Sequence, residues 1–265
     1  MRGSRTFGRL LGAALVAAVL VFAPEMAAAA DHNKPGRGVN TVVLVHGAWA
    51  DGSSWSKVIP KLEAVGLRVV AVQLPLSSLA DDVATVKRAI AIEEGPLLLV
   101  AHSYGGVVIT EAGNDPKVAG LLYVAAFAPQ EGQTAFELAT ANPTPILGKL
   151  QQDQLGFLKI TPAGIREDFA PDLTNREQAL LTATQGPTAG GDSLSAPVTA
   201  AAWRLKPTWF VIAAQDHVVS PTLQAMAAQM MNATSITLTS SHVPMLSHPQ
   251  AVSSFIREAA RQVSY

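Results

Sequence analysis

Short apolar runs alternate with amphipathic stretches along most of this chain. Thr41–Val45, Arg68–Val72, Leu97–Ala101, Val118–Ala126, Pro207–Ala213 and Ser235–Leu238 read as strands, several of them apolar enough to be covered on both faces. Between the first two, Trp55, Val58, Ile59, Leu62 and Val65 recur at spacings of three and four, which predicts a helix capped by Gly66, with Pro60 a potential kink. Leu79–Glu94 predicts a second helix, with Val83, Val86 and Ile90 on its buried face and Asp81, Asp82, Lys87 and Arg88 facing water. Pro221–Met231 and Pro249–Val263 predict two more, each opened by a proline in its first turn. Strand and helix alternate, so the expected class is α/β, with a doubly wound, mostly parallel sheet. From Gln130 to about Ala202 the rhythm breaks into a polar stretch rich in Pro, Gly, Thr and Gln. A structureless loop of that length is unusual in a compact domain. The stretch (about 130–202) is therefore expected to be an inserted helical cap, with short helices near Gln151–Phe157 and Asn175–Thr184.

The candidate chemistry begins at a strand-to-helix turn. Leu97–Ala101 runs into His102, Ser103 and Tyr104, and Gly105-Gly106 opens the next apolar helix face. This matches the G-x-S-x-G nucleophile elbow, with Ala101 at the first glycine position; a methyl group is still small enough there. A serine hydroxyl is a poor nucleophile near neutral pH and needs a base, a carboxylate to orient that base, and amide donors for the oxyanion. Elbow-type sites take these in the chain order Ser, Asp/Glu, His. Asp216 follows the Pro207–Ala213 strand directly, and His242 follows Ser235–Leu238, both at C-terminal strand ends where open α/β sheets place their sites. His217 and His248 compete with His242, and Asp192 is the alternative acid. The oxyanion donors are expected to be the backbone N–H of Tyr104, after the nucleophile, and that of Ala48 in the His46-Gly47-Ala48-Trp49 loop. His46 is expected to brace that loop, while Trp49, Trp55, Tyr104 and Phe127 read as core or wall residues.

Composition narrows the class further. The chain has 265 residues, 49% of them hydrophobic and 15% charged, which suits one domain with a sizeable core. A formal net charge of -1 carries no electrostatic footprint for nucleic acid. Residues 1–30 have the pattern of a secretory signal peptide: Arg2, Arg5 and Arg9, an apolar run of 13 residues from Leu10 to Phe22, then Ala28-Ala29-Ala30. That run is shorter than the roughly 20 residues a membrane span needs. Its removal would leave a domain over 31–265 with 16 basic and 19 acidic residues, exported to the periplasm or medium and not membrane-bound. The chain has no cysteine, which excludes disulfides, cysteine nucleophiles and Cys-ligated zinc.

Val43-Leu44-Val45-His46-Gly47-Ala48-Trp49, Ala101-His102-Ser103-Tyr104-Gly105-Gly106, Gln215-Asp216 and Ser241-His242 together resemble the α/β-hydrolase superfamily. Within it they resemble the small branch of plant methyl esterases, hydroxynitrile lyases and bacterial esterase-like hydrolases. The resemblance implies Ser103 as nucleophile, His242 as base, Asp216 as its orienter, Ala48 and Tyr104 as oxyanion donors, and neither metal nor organic cofactor. Hydroxynitrile lyases of this branch carry a Lys directly after the histidine; Val243 stands there here, which favours hydrolysis. The expected activity is cleavage of small carboxylic esters. The alternatives are a lactonase or amidase with the same triad, a cofactor-free perhydrolase or haloperoxidase-like activity, and a non-catalytic small-molecule-binding protein on this scaffold.

Overall fold

In the computed structural model, residues 38–263 are described. The signal sequence expected over residues 1–30 lies outside them. Strands β1 (Thr41–Val45), β2 (Arg68–Ala71), β3 (Leu97–His102) and β4 (Val118–Val124) alternate with helices α1 (Ile59–Glu63), α2 (Leu79–Ile92) and α3 (Gly105–Ala112). After a long excursion, β8 (Thr208–Ala213), α7 (Pro221–Met230), β9 (Thr234–Leu238), α8 (Pro244–Ser247) and α9 (Pro249–Gln262) complete the domain. The main sheet has six strands in the order β2-β1-β3-β4-β8-β9, and every neighbouring pair is parallel. The sheet is therefore the doubly wound, parallel one that the alternation predicts.

Burial follows position in the sheet. β1 and β3 are buried at every residue, because helices cover both faces: α2 packs on α3, and α1 packs on α9. The edge strands β2 and β9 are half exposed and correspondingly more polar. The chain starts at β1, steps outward to β2, then jumps back past β1 to β3. The winding reverses between β1 and β3, and the C-terminal crevice at such a switch point is where open sheets bind ligands. The loops after β1 and β3, carrying Ala48 and Ser103, flank that crevice.

Three local expectations are corrected. The apolar repeat from Trp55 to Val65 is not one helix: a 3₁₀ turn at Gly52–Trp55 precedes the short α1. Pro60 lies in the first turn of α1, where its missing N–H costs nothing, so it starts the helix and does not kink it. Asp82 does not face water; it is fully buried.

The insertion is also not purely helical. It carries α4 (Ala135–Ala141), β5 (Leu150–Gln152), β6 (Phe157–Ile160), α5 (Pro162–Gly164), α6 (Asn175–Thr184) and β7 (Thr188–Ala189). The helix expected at Asn175–Thr184 is α6, started by a capping box between Thr174 and Glu177. The helix expected at Gln151–Phe157 is absent. There β5 and β6 pair antiparallel and β7 joins them. The connecting turn decides this: the Asp153 carboxylate accepts the Leu155 and Phe157 N–H groups (2.8 and 2.9 Å), and Gly156 takes φ +86.

Candidate active site

β3 ends in a tight turn that holds Ser103 at φ +54, a left-handed conformation that costs a non-glycine residue on the order of 1 kcal/mol or more. The turn is possible because strand and helix approach closely. A Cβ on Gly105 would sit 2.6 Å from the His46 carbonyl oxygen, and one on Gly47 would sit 2.7 Å from Ser103 Cβ. The two loops are thus packed backbone to backbone, which brings Ala48 beside Ser103.

The loops after β8 and β9 supply the other groups. His242 Nε2 lies 2.8 Å from Ser103 Oγ, and His242 Nδ1 lies 2.8 Å from Asp216 Oδ2. All three side chains are buried. The Asp216 carboxylate accepts three further bonds, from the N–H groups of Val218 (2.7 Å) and Val219 (3.0 Å) and from Gln224 Nε2 (2.7 Å). Its other acceptor sites are filled, so Oδ2 is left in a fixed position for the imidazole. Among the described residues, neither the Ala48 N–H nor the Tyr104 N–H donates to an acceptor of the chain. Both residues line the cavity that Ser103 lines. Five residues singled out from the sequence, Ser103, Asp216, His242, Ala48 and Tyr104, are therefore brought to one place.

The competing residues lie elsewhere. His217 is half exposed, and its Nδ1 faces Asp168 Oδ1 at 3.3 Å. His248 bonds Ser247 Oγ at 2.9 Å, and Asp192 is exposed. His46 braces the loop after β1: Nδ1–H donates to the Gly47 carbonyl (2.8 Å) and Nε2 accepts the Leu74 N–H (2.9 Å). Burial lowers its pKa, which keeps it neutral and able to accept.

Several supporting residues carry no signal in the sequence. His102 donates from Nε2 to the His242 carbonyl at 2.7 Å, and burial, with His242 beside it, holds its pKa well below the usual histidine value. Asp172, from the insertion, accepts the N–H and hydroxyl of Ser241 and so clamps the turn just before His242. Gln224, which bonds Asp216, lies on the buried face of α7.

Asp82 accepts the Tyr104 hydroxyl (2.7 Å) and the Leu76 N–H (2.8 Å). Burial is the main cause of its pKa being raised to about 6. The unfolded carboxyl titrates near 3.8, so the stability that Asp82 contributes falls as the pH rises from about 4 to about 6 and is level above that. A shift of that size corresponds to on the order of 2 to 3 kcal/mol. Asp82→Asn should remove this slope. Denaturant unfolding at pH 4, 5, 6 and 7 would test it; parallel stability curves for the two proteins would refute the assignment.

The cavity over Ser103 has a volume of about 80 Å³ and is partly open to solvent. Phe127, Ile146, Leu150, Leu158, Leu194 and Val218 form its walls. Phe136 (54% exposed) and Leu147 (38%) stand at its mouth. Tyr104 also lines it, but its hydroxyl is turned to Asp82; Trp49 lines it with its indole N–H donated to the Leu158 carbonyl at 3.0 Å. Among the described residues, Ser103 is the one lining side chain with a polar group left for a ligand.

Known proteins agree with this architecture. Residues 42–255 match the model of a family described as the alpha/beta hydrolase family. A probable hydrolase, R7, from Phoma sp. is 24% identical over 83% of this chain and 97% of its own length. A carbendazim hydrolyzing esterase from Nocardioides sp. is 36% identical over a shorter stretch, 36% of this chain and 46% of that protein. The crystal structure of a pyrethroid hydrolase from Sphingobium faniae superposes with a TM-score of 0.74, at 24% identity, covering 84% of this chain and 97% of the other.

Proposed function

Given that the chain belongs to the alpha/beta hydrolase family and is a hydrolase of that type, we propose that it cleaves small, uncharged carboxylic esters through a Ser103–His242–Asp216 triad and an acyl-enzyme. The observation that carries this reading is the unbroken relay from Asp216 Oδ2 through His242 to Ser103 Oγ, both contacts 2.8 Å, at the floor of an apolar cavity. The names of relatives, an esterase of carbendazim among them, point the same way.

The reaction follows from the geometry. His242 Nε2 takes the Ser103 proton as Oγ attacks the acyl carbon, and Asp216 balances the imidazolium at Nδ1. The oxyanion of the tetrahedral intermediate accepts the Ala48 and Tyr104 N–H groups, both of which lack a partner among the described residues. The His242 proton goes to the departing alkoxide, which leaves as the alcohol. Water then enters, His242 takes its proton, hydroxide attacks the acyl carbon, and the acid leaves as Ser103 recovers its proton. The pattern of residues 1–30 extends the proposal to an exported enzyme.

The walls set the substrate class. A carboxylate or ammonium on the acyl group would be desolvated against apolar carbon with no counter-charge. Neutral aryl esters should therefore be turned over with a kcat/KM about tenfold or more above isosteric esters bearing a charge on the acyl chain. A fluorophosphonate adduct mapped by mass spectrometry should fall on Ser103 alone. No adduct together with no ester turnover would overturn the reading, leaving the binding-protein alternative. Equal rates on charged and neutral esters would overturn only the substrate class.

A further inference from the structure

Trp49 follows Ala48 directly and is held at φ +57, an unusual conformation for a bulky side chain. What holds it comes from the insertion. Leu158 on β6 and Thr188 on β7 are cross-strand partners. Thr188 Oγ1 accepts the Trp49 backbone N–H at 3.1 Å, and the Leu158 carbonyl accepts the Trp49 indole N–H at 3.0 Å. One pair thus grips the residue by its main chain and by its side chain. The next residue on β7 extends the hold: the Ala189 N–H donates to the carbonyl of Leu76, another residue at φ +57. Thr188 is fully buried, so no water competes for its bond.

The direction of the Trp49 N–H fixes the plane of the Ala48–Trp49 peptide. With that plane turned toward β7, the residue before it, Ala48, lines the cavity beside Ser103, and its N–H has no acceptor among the described residues. We propose that Thr188 is a positioning residue for the oxyanion hole: by accepting the Trp49 N–H, it holds the Ala48 N–H toward the acyl oxygen of a substrate bound at Ser103. The inference rests on the reading of Ser103 as nucleophile. It makes the small sheet of the insertion a structural part of the catalytic apparatus as well as a roof over it.

The test compares Thr188→Val, which keeps the shape and removes the acceptor, with Thr188→Ser, which keeps the acceptor. A misplaced oxyanion donor weakens the transition state and not the ground state. Thr188→Val should lower kcat roughly tenfold to a hundredfold, with KM changed less than about threefold. A trifluoromethyl ketone, whose hemiketal adduct with Ser103 Oγ places its oxyanion in the hole, should lose affinity by a similar factor. Thr188→Ser should stay within about threefold of the parent on both measures. If the valine variant does not fold, Thr188→Ala, which adds no bulk, is read in the same way. Phosphonylation of Ser103 by a fluorophosphonate gives the same comparison without a substrate. Unlabelled Ser103 in the parent protein would overturn the reading of the whole site and this inference with it. Normal labelling in the parent and an equal rate in Thr188→Val would overturn this inference alone, as would a serine variant that falls as far as the valine one.

Discussion

Ser103→Ala is expected to lower kcat by at least about 10³-fold on any ester the parent protein cleaves, with melting temperature nearly unchanged. The expected loss is large because the three side chains act as a unit: without Oγ, His242 has no proton to take and no nucleophile to activate. The structure gives reason to expect an intact fold. Among the described residues Ser103 Oγ bonds only His242 Nε2, so the deletion leaves one imidazole nitrogen unpartnered beside an open cavity. Alanine occupies the left-handed φ of +54 at about the same cost as serine. Steady-state kinetics, a thermal melt and fluorophosphonate labelling would check all three points. Near-parental activity in this variant would remove Ser103 from the mechanism altogether.

Asp216→Asn should cost about 10⁴-fold in kcat while the protein still folds. The asparagine oxygen can keep the two bonds from Val218 and Val219, which both go to Oδ1. The Oδ2 position is where the substitution acts. There the carboxylate accepts from both His242 Nδ1–H and Gln224 Nε2. An amide NH₂ in its place meets a donor on each side. The imidazole can satisfy it only by moving its proton to Nε2, which points a hydrogen at Ser103 Oγ and removes the base. Turning the amide over restores the imidazole partner but sets NH₂ against the Val218 and Val219 N–H groups. A fall in kcat with KM held, in a protein with the parental melt, is the expected result. Loss of less than about tenfold would mean that another group orients His242.

Much of the fold was legible in the chain, and for a stated reason. The apolar runs of β1, β3 and β4 are continuous because both faces are covered, and the intervening helices show one apolar stripe each. The elbow at Ser103 and the order Ser103, Asp216, His242 are equally local signals, since each residue directly follows a strand and strand ends converge at one edge of a parallel sheet. Where local patterns conflicted, reading by periodicity failed. Gln151–Phe157 is expected to be a short helix, yet the Asp153–Gly156 turn folds it into a hairpin. Asp82 sits on the charged side of a helical wheel, yet Tyr104 and the Leu76 amide draw it into the core.

By itself, then, the order of residues determined the α/β class, the strand-end positions of Ser103, Asp216 and His242, and the loop that presents Ala48. These are properties of short segments, and short segments carry them in their periodicity and turn chemistry. Only the tertiary structure decided which groups hold that constellation in place. Thr188 lies 139 residues from Trp49, and Asp172 lies 69 from Ser241. Nothing within a window of local sequence marks such a pair, because its energy arises from the burial and exact approach of two chains that only the folded sheet and its insertion bring together.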